Sequence, residues 1–305
     1  MRPHITHLIL SGGGLCGILY TGIFRFLEVE KIGENIRHVS GTSIGSFFAT
    51  MFVLGITSEE IEKRLKESLN PDFLNFKFPD IFSIFDKYGI ENGDRIIDIV
   101  KDDLGNVTFQ ELSKRTGKDL VICATRVKTM CPVYFSADTT PNVCVIDALR
   151  ASIALPWFIR PVKIGDEYYV DGGVSSHIPY EPYINIDPKV ILLVAIETNV
   201  CVYNTEDPIK SPIGFTLACL SKFMSYRFDL GYKYIKTYYP YSFIIHDSPI
   251  PFIPITYHEG TLKINLTIDD IDKALCHGYE KVHEIFYNIL NTEPNDPPPF
   301  ILPQQ

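Results

Sequence analysis

Residues 37–52 read RHVSGTSIGSFFATMF. A short β-branched run ends at Gly41-Thr42-Ser43-Ile44-Gly45, and the segment that follows, IGSFFATMFVLG, is too apolar to lie on a surface. The chain must therefore turn sharply at a place that is also buried. Glycines on both sides of a serine permit this, because a strand can pass directly into a helix only where colliding side chains are absent. The serine hydroxyl is then left at the carboxyl end of the strand. Taken alone, GxSxG fits equally well an ordinary strand-to-helix loop of small residues.

Two further glycine motifs bear on the choice. THLILSGGG is a buried-strand run ended by glycines, and Ser11-Gly12-Gly13-Gly14-Leu15-Cys16-Gly17 then opens a helical pattern, ILYTGIFRFLEVE. Consecutive glycines at a helix N-terminus expose backbone N–H groups and form an anion site. The string formally satisfies GxGxxG, the dinucleotide fingerprint. That fingerprint wants an acidic residue closing the second strand, whereas the second strand here closes on Ser40-Gly41-Thr42-Ser43. A tetrahedral oxyanion formed at Ser43 suits the loop better than a pyrophosphate. The third motif, Asp171-Gly172-Gly173, follows the apolar strand pattern EYYV. Burial would tune that carboxyl, although Asp-Gly is also a common plain turn.

Along the rest of the chain, strands alternate with helices, which predicts an α/β fold of three layers, α/β/α, around a mostly parallel sheet. Thr57 with Glu60, and Thr108 with Glu111, have capping-box spacing. DALRASIAL reads as a helix capped by Asp147, DLVICATRV as a strand with PVYFSAD beside it, and KVILLVAIET as a central strand. Long helices are expected in residues 214–236 and 268–290. Phe73, Phe76, Phe78, Phe82 and Phe85 mark a Pro-broken segment that suits either a lid or pinned loops, and the aromatic and Pro-rich residues 240–257 suit a membrane contact. The tail from residue 291 reads as extended.

Strand–GGGxxG–helix–strand–GxSxG–helix with a later strand–DGG is far more specific than any one motif. With ALRASIALPWFIRPVKIGDEYYVDGGVSSHIP, the chain resembles the patatin-like phospholipases over residues 7–182, leaving 183–305 as a C-terminal elaboration of the same domain. The resemblance implies a lipid acyl hydrolase acting on glycerolipids or phospholipids without cofactor or metal. It makes Ser43 the nucleophile, Asp171 the proton acceptor, and the N–H groups of Gly12, Gly13 and Gly14 the oxyanion hole, with Gly17, Gly41, Gly45, Gly172 and Gly173 as motif glycines. Trp157 and Phe158 would line the acyl channel. Two positions depart from the family pattern. Cys16 stands where a Lys or Arg is common, with Arg160 a possible substitute, and His177 stands where Asn is frequent.

Composition narrows the partners. A net charge of −9 argues against nucleic acid and against Coulombic docking on anionic membranes, so lipid contact is expected to be apolar. The seven cysteines form no CxxC pair, which points to a reducing, cytoplasmic setting rather than a disulfide framework or zinc site. No run is long enough for a membrane span, so membrane contact is expected to be peripheral and transient. The histidines at 4, 7, 38, 246, 258, 277 and 283 read as ordinary surface or core residues, because Ser43 follows the second strand and not a later one as in α/β-hydrolases. Two other readings remain open: a catalytically weak lipid-binding protein, motivated by Cys16, and a nucleotide binder using GGGLCG.

Overall fold

A computed structural model of the chain describes residues 3–77, 86–197, 212–251, 255–258 and 261–291. The strands among them are β1 (His7–Leu10), β2 (His38–Thr42), β3 (Asn75–Lys77), β4 (Gly89–Glu91), β5 (Asp119–Arg126), β6 (Cys131–Phe135), β7 (Trp157–Ile159), β8 (Val162–Ile164), β9 (Glu167–Asp171), β10 (Ile191–Ile196), β11 (Ser242–Ile245), β12 (Ile255–His258) and β13 (Thr261–Ile264). Hydrogen bonding links the main sheet in the order β11-β10-β1-β2-β5-β9-β8, with β6 also on β5. From β11 to β5 all neighbours are parallel. β6 and β9 run antiparallel to β5, and β8 antiparallel to β9. The sheet is therefore mixed, with its parallel part around β1 and β2.

Period-two alternation along these strands sorts the core into two layers. Leu8, Leu10, Leu120, Ile122, Leu192 and Val194 point to one face, where they pack with helices Leu19–Val29, Ile44–Leu54, Asp94–Leu104, Val145–Ser152 and Ile268–Asn291. Ile9, Val121, Ile191 and Leu193 point to the other, against Ile178, Tyr183 and the helix Pro212–Tyr238 through Phe228 and Ile235. Each such aliphatic side chain, fully removed from water, contributes about 1.5–3 kcal/mol. The result is the three-layer α/β/α architecture expected of the alternating pattern.

Register explains how the site forms. Gly41 and Thr42 of β2 pair with Ile122 and Cys123, while Asp171 of β9 pairs with Ala124. β6 pairs with residues 122–126 of β5, so it takes one edge and leaves β2 and β9 the other. β2 and β9 thus run along one edge of β5 from opposite directions and meet between Cys123 and Ala124. Asp171 ends β9 at that junction, and Ser43 is the first residue after β2.

Three details differ from expectation. KVILLVAIET forms β10, which lies between β1 and the edge strand β11, not in the middle of the sheet. It is fully buried because both faces are covered. The helix expected to start at Asp147 begins at Val145 with Cys144 at its N-cap. A bridge from Cys144 to Thr108 holds that residue extended, and Asp147 falls in the first helical turn instead. The aromatic segment after residue 240 begins as sheet, with Phe243 and Ile245 of β11 buried. Thr108 and Glu111 form the reciprocal capping box; Thr57 accepts from the Glu60 N–H. No helix among the described residues is long and apolar enough to cross a membrane. Phe78, Phe82 and Phe85, the Phe76 side chain and the tail from residue 292 lie outside what the structure describes.

Candidate active site

The turn from β2 into the helix Ile44–Leu54 has the tightness implied by its glycines. A Cβ on Gly41 would overlap the Gly45 carbonyl, and one on Gly45 would overlap the carbonyl oxygens of Ser11 and Leu10. Ser43 sits between them at φ 52°, ψ −127°, a conformation that costs a non-glycine residue roughly 1–3 kcal/mol. Two further contacts hold it there. The Ser43 N–H donates to Ser152 Oγ at 2.9 Å, and Ser152 Oγ donates in turn to the Cys123 carbonyl at 2.6 Å. Ser152 carries no local sequence signal, since both of its partners come from distant strands. Ser152→Ala would leave the buried elbow N–H without an acceptor. A stability loss of about 1–3 kcal/mol is expected, read as a lower urea midpoint at unchanged m-value.

Ser43 Oγ donates to Asp171 Oδ2 at 2.6 Å, and the other carboxyl oxygen accepts from the Gly173 N–H at 2.7 Å. Gly172 lets the chain beyond Asp171 close over β5, where a Cβ would overlap the Cys123 carbonyl. Asp171 is 1% exposed. Burial pushes its carboxyl up to about 7, while the hydrogen bonds from Ser43 and Gly173 pull the other way. A carboxyl in this state is half ionised near neutrality and already bonded to the serine, so it can accept that serine's proton.

The glycine loop lies against the elbow, with Gly17 pressed on the Ile44 side chain. The Gly12 N–H donates to the His177 carbonyl at 3.0 Å. It is therefore unavailable to an oxyanion, which corrects the expectation that all three loop glycines donate. The N–H groups of Gly13 and Gly14 have no acceptor among the described residues, and both residues line the cavity beside Ser43. His177 is 3% exposed, packs against Gly12 and Gly173, and also lines that cavity. Neither of its ring nitrogens has a hydrogen-bond partner among the described residues. Burial lowers it to about 4, the Gly12 backbone partly opposing, so the ring is neutral in the working range.

The cavity, about 150 Å³, is walled by Leu15, Ile44, Ile153, Leu155, Phe158 and Ile159, with Ser43 and Asp171 among its few polar groups. Phe73 and Met224 also reach it. Of the pair expected in the channel, Phe158 is present and Trp157 is not. Cys16 does not line it either. Its buried thiol donates to the Ile250 carbonyl at 3.0 Å, so the residue standing in place of a cation points elsewhere. Arg160, the suggested substitute, is not among the described residues of the wall; the cation among them is Arg95, ion-paired with Glu91 at 3.2 Å. Among the described residues no group of His, Cys, Asp and Glu is arranged to hold a metal.

Comparison with known proteins gives the family and the fold. A family model described as patatin-like phospholipase matches residues 8–184. The chain is 30% identical over 58% of its length to an uncharacterised protein of Acanthamoeba polyphaga mimivirus, covering 61% of it. It is 26% identical over 60% of its length to a probable lipid hydrolase of invertebrate iridescent virus 6, covering 64%. It thus spans less than two thirds of either relative. Among solved structures, VipD from Legionella pneumophila superimposes with a TM-score of 0.57 at 18% identity, over 94% of this chain and 67% of that one. Human GIVD cytosolic phospholipase A2 does so at 0.51 and 8% identity, over 94% and 59%. The fold is shared with both, and the chain belongs to the patatin-like phospholipase family.

Proposed function

We propose that the protein hydrolyses fatty-acyl esters of glycerolipids by a serine–aspartate dyad. The observation that carries this reading is the 2.6 Å hydrogen bond from Ser43 to a buried Asp171 in the wall of an apolar cavity. Ser43 Oγ attacks the ester carbonyl carbon while its proton passes to Asp171 Oδ2. The carbonyl oxygen becomes an oxyanion and accepts from the N–H groups of Gly13 and Gly14. Collapse of this intermediate breaks the ester C–O bond, and the leaving alkoxide takes the proton from Asp171. Water then attacks the acyl-serine with Asp171 again as base, which releases the fatty acid and restores Ser43. Each oxyanion donor of this kind is worth about 10²–10³ in rate.

A carboxylate is a weak base for an alcohol, so the exchange depends on a dry, fixed site, which the aliphatic walls supply. The family membership and the relative named as a lipid hydrolase support the substrate class. The six described cysteines are all unpaired, in keeping with a protein that meets membrane lipid peripherally from a reducing cytoplasm. Fatty-acid release from phosphatidylcholine vesicles tests the mechanism. The base must be ionised, so the rate is expected to rise about tenfold per pH unit below about 7 and to level off above it. A profile flat from pH 5 to 8 would rule out Asp171 as the base.

A further inference from the structure

The helix Pro212–Tyr238 is two-faced in an unusual way. Its inner face carries Met224, Phe228 and Ile235, all buried. Its outer face presents Phe215, Phe223, Tyr226 and Leu230, which are 42–58% exposed, with the exposed Cys219 among them. Positions 215, 219, 223, 226 and 230 recur every three or four residues and so form one stripe opposite the buried side. Lys222, Lys233 and Lys236 are exposed on the same helix. Together with Arg227 they make four cations against a single carboxylate, Asp229, on a chain whose net charge is −9. Among the described residues neither Lys222 nor Lys233 has a carboxylate partner.

We infer that this outer face is the surface by which the protein docks on anionic bilayers, an assignment that rests on the lipid-hydrolase reading above. Aromatic and aliphatic groups enter the acyl boundary while lysines beside them reach phosphate-bearing headgroups, the pattern of a helix lying in an interface. Charge decides the occupant. A second copy presenting the same face would set lysine against lysine, whereas an anionic lipid surface complements it. The acidic chain as a whole is repelled by such a surface, so the local cations of this helix orient the approach. The same helix also touches the site. Met224 lines the cavity, and Arg227 Nε donates to the Ser175 carbonyl at 2.7 Å, just beyond the Asp171 turn. Docking on the outer face therefore bears on the wall of the cavity that receives the acyl chain.

The test is flotation of the full chain with phosphatidylcholine vesicles, with and without phosphatidylglycerol, in a Ser43→Ala background so that the lipid persists. Binding to the phosphatidylglycerol vesicles is expected, weakening as salt rises. The double substitution Phe223→Ser/Tyr226→Ser should lower it at least about tenfold on both vesicle types. Lys222→Glu/Lys233→Glu should remove the preference for phosphatidylglycerol, each lysine being worth roughly fivefold. The same surface substitutions with Ser43 intact should leave hydrolysis of a soluble p-nitrophenyl ester unchanged. Vesicle binding insensitive to both pairs, or self-association in place of vesicle binding, overturns the assignment. Intact, substitution-sensitive vesicle binding without any ester hydrolysis overturns the catalytic reading and leaves the docking face standing.

Discussion

Replacing Ser43 with alanine is expected to lower fatty-acid release by at least about 10⁴-fold and to abolish labelling by a fluorophosphonate probe. The hydroxyl is the group held 2.6 Å from Asp171, and among the described residues no other side chain on the cavity wall stands in the same relation to the carboxyl. Retained turnover in Ser43→Ala would remove the nucleophile from the mechanism. Labelling of the wild type also separates a hydrolase from a lipid-binding protein that has lost its chemistry. A companion substitution reads the strain at the elbow. Ser43→Gly is equally inactive, but glycine adopts φ 52° freely. Relief of roughly 1–3 kcal/mol of backbone strain, less about 0.5–1 kcal/mol for glycine's larger loss of chain entropy, should leave Ser43→Gly more stable than Ser43→Ala. A lower denaturation midpoint for the glycine variant would show that the elbow stores no strain.

The parts of this site that were legible in the sequence are those in which a local backbone requirement dictates the residue. Gly41 and Gly45 have no room for a Cβ, so the elbow is written into five consecutive positions. Asp171 was legible because the apolar strand before it and the glycines after it specify burial and a tight turn. What escaped depends on which strands meet. No periodicity says that β9 takes the same edge of β5 as β2, yet that choice brings Asp171 to Ser43. Ser152 holds the Ser43 N–H from 109 residues away, and its own helix shows nothing unusual. The commitment of the Gly12 N–H depends in the same way on a carbonyl at position 177. Cys16 shows the same limit: the sequence tells which residue stands in place of a cation, but the direction of its side chain, toward Ile250, is set by tertiary packing.

Asp171→Asn is expected to abolish hydrolysis and, at neutral pH and above, to stabilise the fold. The substitution is nearly isosteric, and its amide can still donate to Ser43 Oγ and accept from the Gly173 N–H. The sign follows from linkage. In the unfolded chain an aspartate titrates near 3.9; in the folded protein burial holds Asp171 at about 7. Between those values the native state binds a proton that the unfolded state has lost, so the contribution of Asp171 falls as pH rises and stays low above about 7. The difference of about three units corresponds to an upper bound of roughly 4 kcal/mol. His177, lowered to about 4, titrates in the opposite sense and makes the fold more stable as pH rises toward 6.5. The two slopes largely cancel in the wild type across that interval. Subtracting wild type from Asp171→Asn removes the histidine and leaves the aspartate alone. The stability gain of the variant should be near zero at pH 4, grow up to pH 7 and stay constant beyond it, measured by urea denaturation at each pH. A gain that is absent at pH 8 would mean that Asp171 is already well solvated or paired in the native state, and the dry site that lets a carboxylate serve as base for an alcohol would then not exist.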